Sequence, residues 1–470
     1  MSREIRPDYQ QQFLLPPSLD EWVPWDQPVR FVREVVKALE ADLPTLGFRT
    51  GLAEDEGGRT PYSSSMLLEV WLFGWMERVR SSRALEKACL RDVAFLWLTG
   101  NHHPDHNTLW RFFRNHRSAL RKLFKRMVQL SVKAGLVGFV EHALDGTKIG
   151  AASSTRSALH RAPLERKLAK LDAIVDEAIA QIEAAQAAGN EPRYPMPEAM
   201  LDVQERRRVV LEGLARLEQE EVNHLHPSEP QARVMKAGTH NTLAYNAQVV
   251  VDGKSDLIVA QDVVNDPTDY AQLVPMVEQV QDNTGAQVHE TLADSGYFSG
   301  EPLAQAEVKS LDVLVRPKAD RDENSPLHKS RFCYDAERDG YVCPRGEFLP
   351  LEVLRRPGKS LRHAQATYRC HNADCPVRSE CTDDKKGRTV SRGEYEEAME
   401  RARQRFVAPG ALQRYQRRAA IVEHLFGIAK GIDGFRRFTV RGLAAARAQW
   451  SLLCTAINLR KLYLHWRLAA

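Results

Sequence analysis

The amino-acid sequence predicts a mixed α/β fold in which helices cover the faces of one sheet. Strand-like runs alternate with helical segments between residues 139 and 318. Within this region an Asp-Gly turn separates two β-branched runs, residues 245–252 and 256–264, which predicts a hairpin. Segments with the apolar spacing of helices precede and follow it. The 470 residues suggest two or three domains, or one domain with large insertions.

Composition indicates a soluble globular chain, since 43% of the residues are hydrophobic and 27% are charged. The most apolar N-terminal run, residues 66–76, is too short to span a bilayer, and the N-terminus lacks the layout of a signal peptide. An odd number of cysteines, seven, fits a reducing compartment better than a disulfide framework. We therefore expect a cytoplasmic protein.

Two locally basic segments occur in a chain whose formal net charge is only +4. Residues 101–135 carry eight Lys or Arg against one acid, and residues 411–470 carry eleven against two. Such segments indicate surfaces for a polyanion, with ordinary solvated helix faces as the alternative.

The first 135 residues are expected to form a helical domain. Its last element is predicted as one long, basic, amphipathic helix that begins at an Asn107 cap. Short helices followed by a basic helix suit DNA binding of the helix-turn-helix kind. Arg111, Arg114 and Arg121 are the candidate phosphate contacts in this helix.

The sheet is predicted in two parts. Residues 136–157 contain the first strand, with Asp145 at its end, and residues 236–318 contain the hairpin and a strand that ends at Asp294. Between them, residues 158–235 are predicted to insert two antiparallel helices with a break at 189–197. Residues 411–470 are expected to add the closing helices.

Residues 319–410 are polar and rich in cysteine, which predicts a second insertion. The thiols of Cys343, Cys370, Cys375 and Cys381 suit a tetrahedral structural Zn²⁺ site, which would hold together loops without a core of their own. Cys333 would be the spare thiol, and His371 is a substitute ligand. Ordinary reduced thiols are the alternative.

Three carboxylates have spacing and surroundings that suggest one site. Asp145 and Asp294 each end a strand before a glycine-containing turn, the usual place for a site in such folds. Glu423 is expected among the apolar positions of a buried helix, where a carboxylate needs either an arginine or a metal ion as partner. Three converging acids repel one another unless cations neutralise them, and hard oxygen ligands suit a pair of Mg²⁺ or Mn²⁺ ions.

The ordered segments ALDGTKI (143–149), LADSGYF (292–298) and Y-x2-R-x4-E-x6-K (415–430) resemble the DDE transposases of bacterial insertion sequences. The resemblance implies a ribonuclease-H-like core with Asp145, Asp294 and Glu423 as catalytic metal ligands. It also implies that Tyr415, Arg418 and Lys430 contact DNA phosphates. The common signature has three residues between its arginine and glutamate, whereas this chain has four after Arg418, so Arg417 is an alternative.

What the resemblance implies for function is the metal-dependent cleavage of double-stranded DNA at terminal inverted repeats. The freed 3′-OH then attacks target DNA, with two Mg²⁺ or Mn²⁺ ions per site. The N-terminal domain would bind the DNA ends, and a homodimer on DNA in the bacterial nucleoid is expected. The alternatives are a DNA-binding protein that has lost catalysis, a nuclease that cuts without joining, and a zinc-organised regulatory protein.

Overall fold

The computed structural model describes residues 18–49, 61–154, 158–187, 198–219, 221–238, 240–287, 289–319, 325–358 and 361–469. These residues contain an N-terminal group of helices, a mixed sheet with helices packed on it, and a separate antiparallel sheet. The predicted mixed α/β fold is confirmed. In the described ranges, every helix is too short or too polar to cross a lipid bilayer.

The N-terminal helices are α1 (Leu19–Trp22), α2 (Pro28–Ala38), α3 (Leu43–Leu46), α4 (Ser64–Met76), α5 (Ser82–Arg91), α6 (Val93–Thr99), α7 (His106–Asn115) and α8 (Arg117–Lys133). The prediction of one long basic helix was wrong, because the backbone leaves the helical conformation at His116 and separates α7 from α8. The predicted cap was also wrong. Asp105 caps α7 by accepting a hydrogen bond from the Thr108 amide at 2.7 Å.

The mixed sheet contains the strands β1 (Glu141–Gly150), β4 (Arg233–Ala237), β5 (His240–Asp252), β6 (Ile258–Val264), β7 (Glu290–Ala293) and β8 (Val313–Val315). Two short strands, β2 (Leu159–His160) and β3 (His224–Leu225), pair with each other. In the mixed sheet β5 lies antiparallel to β1, β4 and β6, whereas β7 lies parallel to β1 and β8. The predicted hairpin is confirmed as β5–β6, and the Asp252 carboxylate accepts the Ser255 amide in its turn at 2.9 Å.

Helix α11 (Leu273–Thr284) connects β6 to β7, and α12 (Gly300–Val308) connects β7 to β8. Helix α15 (Ala411–Gly427) leads through a π-helical turn (Ile428–Ile432) towards α16 (Leu443–Ala469). The middle of α16 is fully buried against β6, α4 and α8. Its Asn458 side chain accepts the Ile258 amide at 2.9 Å and donates to the Ile258 carbonyl at 2.8 Å. One continuous apolar core therefore joins the N-terminal helices to the sheet.

A buried ion cluster ties the N-terminal helices to the segment after α15. The Asp433 carboxylate is fully buried and contacts Arg78 at 3.1 Å, Arg80 at 3.5 Å and Arg460 at 2.9 Å. Removing the carboxylate would leave three neighbouring cations without their shared partner, which is costly in a buried site. Asp433 thus fixes the end of the α15 segment relative to α4 and α16.

Helices α9 (Arg161–Ala187) and α10 (Glu198–Gln219) occupy the predicted first insertion. They run antiparallel, because Asp172 pairs with Arg207 at 2.6 Å while Gly213 lies beside Leu164. The predicted break at 189–197 lies outside the described residues.

The cysteine-rich region contains a five-stranded antiparallel sheet that the sequence analysis did not identify. Its strands are β9 (Cys333–Asp335), β10 (Gly340–Val342), β11 (Phe348–Arg355), β12 (Gln365–Arg369) and β13 (Thr389–Gly393), in the order β13-β12-β11-β10-β9. Helices α13 (Arg378–Cys381) and α14 (Glu396–Val407) follow β12 and β13. A small separate core of Phe332, Tyr341, Leu349, Tyr368 and Val390 holds this sheet together.

A buried carboxyl group in α4 makes the stability of the fold depend on pH. Glu69 is 6% exposed, and its nearest cation is Arg33 at 4.0 Å. Burial raises the pKa of Glu69 from 4.5 to about 7. The folded state therefore holds a proton that the unfolded state releases, so stability should fall by about 3 kcal/mol as the pH rises from 4.5 to 7.

Replacing Glu69 by Gln should remove this loss, because the amide cannot ionise. We expect Glu69→Gln to be more stable than the wild type at pH 8 and nearly equal to it at pH 5, as measured by urea unfolding. Glu218→Gln, a change at an exposed residue of α10, is the control. The same pH dependence in Glu69→Gln and the wild type would contradict this account.

Candidate active site

Asp145 of β1 lies beside Asp294, which directly follows the neighbouring strand β7. The parallel register of β1 and β7 pairs Leu144 with Ala293, and the residue after each of these is one of the two aspartates. Adjacent strands are about 4.8 Å apart. Burial raises the pKa of Asp145, the neighbouring charge of Asp294 raises it further, and the guanidinium of Arg418 opposes both effects.

The predicted end of the first strand was wrong. β1 continues past Asp145 to Gly150, and Asp145 itself pairs with Val249 of β5. It is the parallel partner that stops, because β7 ends at Ala293. Asp145 is therefore held in a continuous strand at the point where the neighbouring strand leaves the sheet.

Local backbone contacts orient both aspartates. The Asp145 carboxylate accepts the Gly146 amide at 2.8 Å, and the Asp294 carboxylate accepts the Gly296 amide at 2.8 Å. A Cβ atom on Gly146 would lie 2.3 Å from Nε2 of Gln248 and 2.8 Å from Oδ1 of Asp269, so it would displace these two hydrogen-bonded side chains. The glycine after Asp145 thus leaves room for the hydrogen bond between Gln248 and Asp269.

Arg418 lies between the first and third predicted acids. It is 9% exposed, and its guanidinium contacts Asp145 Oδ2 at 3.0 Å and Glu423 Oε1 at 3.8 Å. Burial lowers the pKa of Arg418, but the contact with Asp145 outweighs this and raises it. Arg417 instead pairs with Glu141 at 2.8 Å. The structure therefore brings Arg418, and not Arg417, to the carboxylates.

Glu423 is more exposed than the sequence analysis expected. The apolar stripe of α15 is buried at Ile421 and Leu425, but the Glu423 side chain is 63% exposed. The expectation of a carboxylate enclosed by apolar side chains was wrong. Glu423 reaches the aspartates through Arg418, the arginine partner that the sequence had left as the alternative to a metal. In the described part of the chain, no three His, Cys, Asp or Glu side chains group closely enough to hold a metal ion.

Lys430 and Tyr415 flank the same site. The Lys430 ammonium donates a hydrogen bond to the Thr147 hydroxyl, two residues along β1 from Asp145. Burial, assisted by the nearby charge of Arg436, lowers the pKa of Lys430. The ring of Tyr415 is half-buried, with its centre 5.9 Å from the guanidinium carbon of Arg418.

A buried polar network lies beneath the two aspartates. Asp269 Oδ1 accepts hydrogen bonds from Lys148 Nζ at 3.1 Å, Asn246 Nδ2 at 2.6 Å and Gln248 Nε2 at 2.8 Å. The hydroxyl of the fully buried Tyr297 donates to Gln248 Oε1. Their role could not be predicted from the sequence motifs. The sequence feature that could have indicated this network is the spacing of Asn246 and Gln248, two polar residues on one face of an otherwise apolar strand.

The three N-terminal arginines do not share one surface environment. Arg111 and Arg114 are exposed on α7. Arg121 lies on α8 and pairs with Asp262 of β6 at 3.4 Å, where it helps to dock this helix on the sheet.

The four candidate zinc ligands lie at one end of the small sheet. Cys343 and Cys370 directly follow β10 and β12, which flank β11 and run in the same direction. The Cys343 sulfur accepts the Arg345 amide at 3.3 Å. Burial raises the pKa of the Cys381 thiol, and the nearness of the other three cysteines adds to this effect.

Two families match this chain in sequence. The family described as Transposase DDE domain matches residues 342–463, and the family described as Transposase domain (DUF772) matches residues 17–115. Over these two segments the chain is similar to transposase domains, one of them of the DDE type. The first match includes Glu423, and the second includes Arg111 and Arg114.

Among curated proteins, none matches this chain. Among solved structures, the chain is similar to the cryo-EM structure of the piggyBac transposase synaptic complex with hairpin DNA. That alignment has 11% identity and a TM-score of 0.32, and covers 93% of this chain and 72% of the other.

The position of Arg418 predicts that it competes with divalent cations for Asp145. Replacing Arg418 by Gln removes a charged hydrogen bond worth about 1.5–3 kcal/mol. We expect Mn²⁺ to bind roughly tenfold more tightly at pH 8 in Arg418→Gln than in the wild type, as measured from free Mn²⁺ by electron paramagnetic resonance. Arg417→Gln, which breaks a contact with Glu141 instead, should leave the affinity unchanged. Equal affinities in all three proteins would rule out this competition.

Proposed function

We propose that this protein is a DDE-type transposase of the insertion-sequence kind, which binds the terminal inverted repeats of its element, cuts the DNA there and joins the freed ends to target DNA. The observation that carries the proposal is the adjacent pair Asp145 and Asp294, linked to Glu423 through Arg418 and flanked by Lys430. Paired carboxylates beside basic side chains suit phosphodiester chemistry, in which both the metal ligands and the phosphate are anionic.

We propose that the mixed sheet is a ribonuclease-H-like core. The strand order supports this, since β6, β5 and β1 form an antiparallel set that β7 and β8 extend in parallel. We propose domain limits at 1–135 for DNA-end binding and at 136–157, 236–318 and 411–470 for the core. The insertions would then be 158–235 and 319–410. The buried cluster around Asp433 couples the proposed end-binding helices to the core.

Asp145, Asp294 and Glu423 would hold the divalent ions, Mg²⁺ or Mn²⁺. Their carboxylate oxygens are hard ligands of the type that these ions prefer, and two of the three are already neighbours. When bound, two such ions would stabilise the charge on the attacking and leaving oxygens of an in-line displacement. Arg418 neutralises part of the same acidic cluster and must yield the Asp145 oxygen as the site fills.

The chain's own residues would position the DNA. Lys430, held by Thr147, offers a cation two residues from Asp145 along β1, where it can offset charge on the phosphate. Tyr415, whose ring centre lies 5.9 Å from the Arg418 guanidinium carbon, would contact the adjacent phosphate through its hydroxyl. The exposed Arg111 and Arg114 would contact the repeat DNA, and Arg121 would mainly hold α8 in place.

Two DNA ends must be processed together before they are joined, so we propose that the active assembly is a homodimer on DNA.

The proposal is tested on a DNA fragment that carries the terminal repeats flanking the gene. Wild-type protein should nick the repeat tips only with Mg²⁺ or Mn²⁺ present. Glu423→Gln and Asp294→Asn should lower the nicking rate about 100-fold or more, because each removes a metal ligand, while DNA binding stays within about twofold of the wild type. Glu218→Gln should behave as the wild type. Nicking by Glu423→Gln at the wild-type rate would show that Glu423 is not a catalytic metal ligand.

The same experiment separates the alternatives. Binding of repeat DNA without any nicking by the wild type would favour a DNA-binding protein that has lost catalysis. Nicking without transfer of the 3′ end to a second DNA would favour a nuclease.

We further propose that Cys343, Cys370, Cys375 and Cys381 bind one structural Zn²⁺. Four thiols are a common donor set for such a site. Cys343 and Cys370 lie on either side of β11 at one end of the sheet, and Cys375 and Cys381 lie near them. The four sulfurs are not grouped as closely as a bound ion requires in the described structure, so binding would have to draw them together. The amide that points at the Cys343 sulfur would stabilise a thiolate ligand. In the described part of this region the separate core has five buried side chains, so a metal would add substantially to its stability.

Metal analysis of purified protein should find about one Zn²⁺ per chain. We expect Cys375→Ser to lose the ion and Cys333→Ser, a change at an exposed thiol outside the set, to keep it. Less than about half an equivalent in the wild type, or equal loss in both variants, would favour plain thiols.

A further inference from the structure

A cationic groove opens beside the carboxylates and is not used by the proposed roles above, apart from Lys430. Its cavity volume is about 690 Å³. The cationic side chains that line it are Lys148, Lys236, Lys430, Arg436 and Arg437. The remaining lining residues are small: Gly146, Thr147, Gly150, Gly238 and Thr242. Within the described residues, neither an acidic side chain nor an aromatic ring lines this groove.

The fold builds the groove from three elements. The second half of β1 forms the floor, starting one residue after Asp145. The β4–β5 hairpin, which turns through Gly238 in a left-handed conformation, supplies one wall with Lys236. The segment after α15 supplies the other wall and is fixed to the end of β1, since the Gly150 amide donates to the Arg436 carbonyl at 3.0 Å.

The two arginines of the groove differ in how much of their hydrogen-bonding capacity is left for a ligand. The Arg437 guanidinium donates hydrogen bonds to the carbonyls of Ala151 at 2.6 Å and Ser153 at 2.9 Å, so it mainly holds the wall in place. Arg436 is exposed and donates from Nε to the Lys430 carbonyl at 3.1 Å. Lys236 is exposed on β4. Arg436 and Lys236 are therefore the cations best placed to meet a polyanion from opposite walls.

The residues that line the groove indicate which ligand it can bind. Five cationic side chains and no described acid line it, and only Lys148 among them is already paired with a described carboxylate, that of Asp269 at 3.1 Å. This excess of positive charge suits a chain of phosphates and disfavours a neutral or cationic ligand. Without an aromatic ring, the groove offers no platform for base stacking. Contacts of lysine and arginine with phosphates position DNA but do not read its sequence.

We propose that the cationic groove holds the sugar-phosphate backbone of the DNA beyond the scissile phosphate, whose sequence is not fixed. This inference rests on the proposed function, because the groove starts next to Asp145 and so continues the path of a strand that crosses the carboxylates. The DNA in the groove is either the flanking DNA before cleavage or the target DNA before joining. Both present the same phosphodiester chain.

The test compares Lys236→Gln/Arg436→Gln with the wild type. The control is Lys167→Gln/Lys170→Gln, which makes the same change in net charge on exposed residues of α9. Binding to a random-sequence duplex is measured by fluorescence anisotropy in EDTA between 50 and 200 mM salt. The groove variant should bind at least about tenfold more weakly at low salt, and its salt slope should fall by nearly two, about 0.9 for each lost phosphate contact.

Two further substrates distinguish the sources of the DNA. If the groove holds flanking DNA, the variant loses affinity for a repeat with a flank but not for a repeat cut at its tip. If it holds target DNA, both repeats bind normally and transfer of the cut end to a second duplex falls about tenfold. Either result supports the proposal that the groove binds the DNA backbone.

An unchanged salt slope in the groove variant, or an equal loss in the control variant, would overturn the inference. Because binding is measured without metal, this outcome is separate from failure of the proposed function. Wild-type protein that never cuts DNA but needs Lys236 and Arg436 to bind it would keep the groove and reject the cleavage proposal.

Discussion

Repulsion between two neighbouring carboxylates is the constraint around which the site is arranged. The register of β1 and β7 places Asp145 beside Asp294, which directly follows β7. Two unit negative charges about 5 Å apart repel by about 3 kcal/mol at an effective dielectric constant of 20. The pair therefore needs a cation, and Arg418 supplies one at 3.0 Å from Asp145. The raised pKa of Asp145 shows that burial and Asp294 are not fully offset.

Helix α15 is held in position by ion pairs between its arginines and the acidic residues of β1 and β7. Glu141 and Glu290 are register partners at the start of β1 and β7, and Arg417 and Arg414 of α15 pair with them at 2.8 and 2.9 Å. Arg418 then meets Asp145 four residues further along β1. The arginines of one helix thus bind both strands, and the Asp433 cluster secures the segment that follows. The packing of α15 on the core therefore places the Arg418 guanidinium beside the carboxylates.

The parts of the fold and site that could be predicted are those with a local signal. β-Branched runs on either side of an Asp-Gly turn identified the β5–β6 hairpin. Glycine one or two residues after an aspartate identified the turns that follow Asp145 and Asp294. The small sheet was missed because its strands are short and β11 is largely exposed, so an apolar pattern is absent. The network around Asp269 was missed because it joins residues from β1, β5 and the segment before α11, and sequence spacing does not reveal such contacts.

Two predictions depended on side-chain direction. Glu423 was expected among apolar neighbours, yet it lies on the exposed side of α15, because the buried stripe at Ile421 and Leu425 already fills the face towards the sheet. The choice between Arg417 and Arg418 was undecidable from spacing alone. One residue along a helix is a rotation of about 100°, and only the packed structure shows which of the two faces the carboxylates.

The most direct measurement is a crystal structure of the protein soaked in Mn²⁺, with anomalous scattering used to locate the ions. The account predicts manganese bound by the carboxylates of Asp145 and Asp294, with the Arg418 guanidinium moved away from Asp145 Oδ2. Saturating Mn²⁺ without a peak at these carboxylates, and with Arg418 still in contact with Asp145, would contradict it.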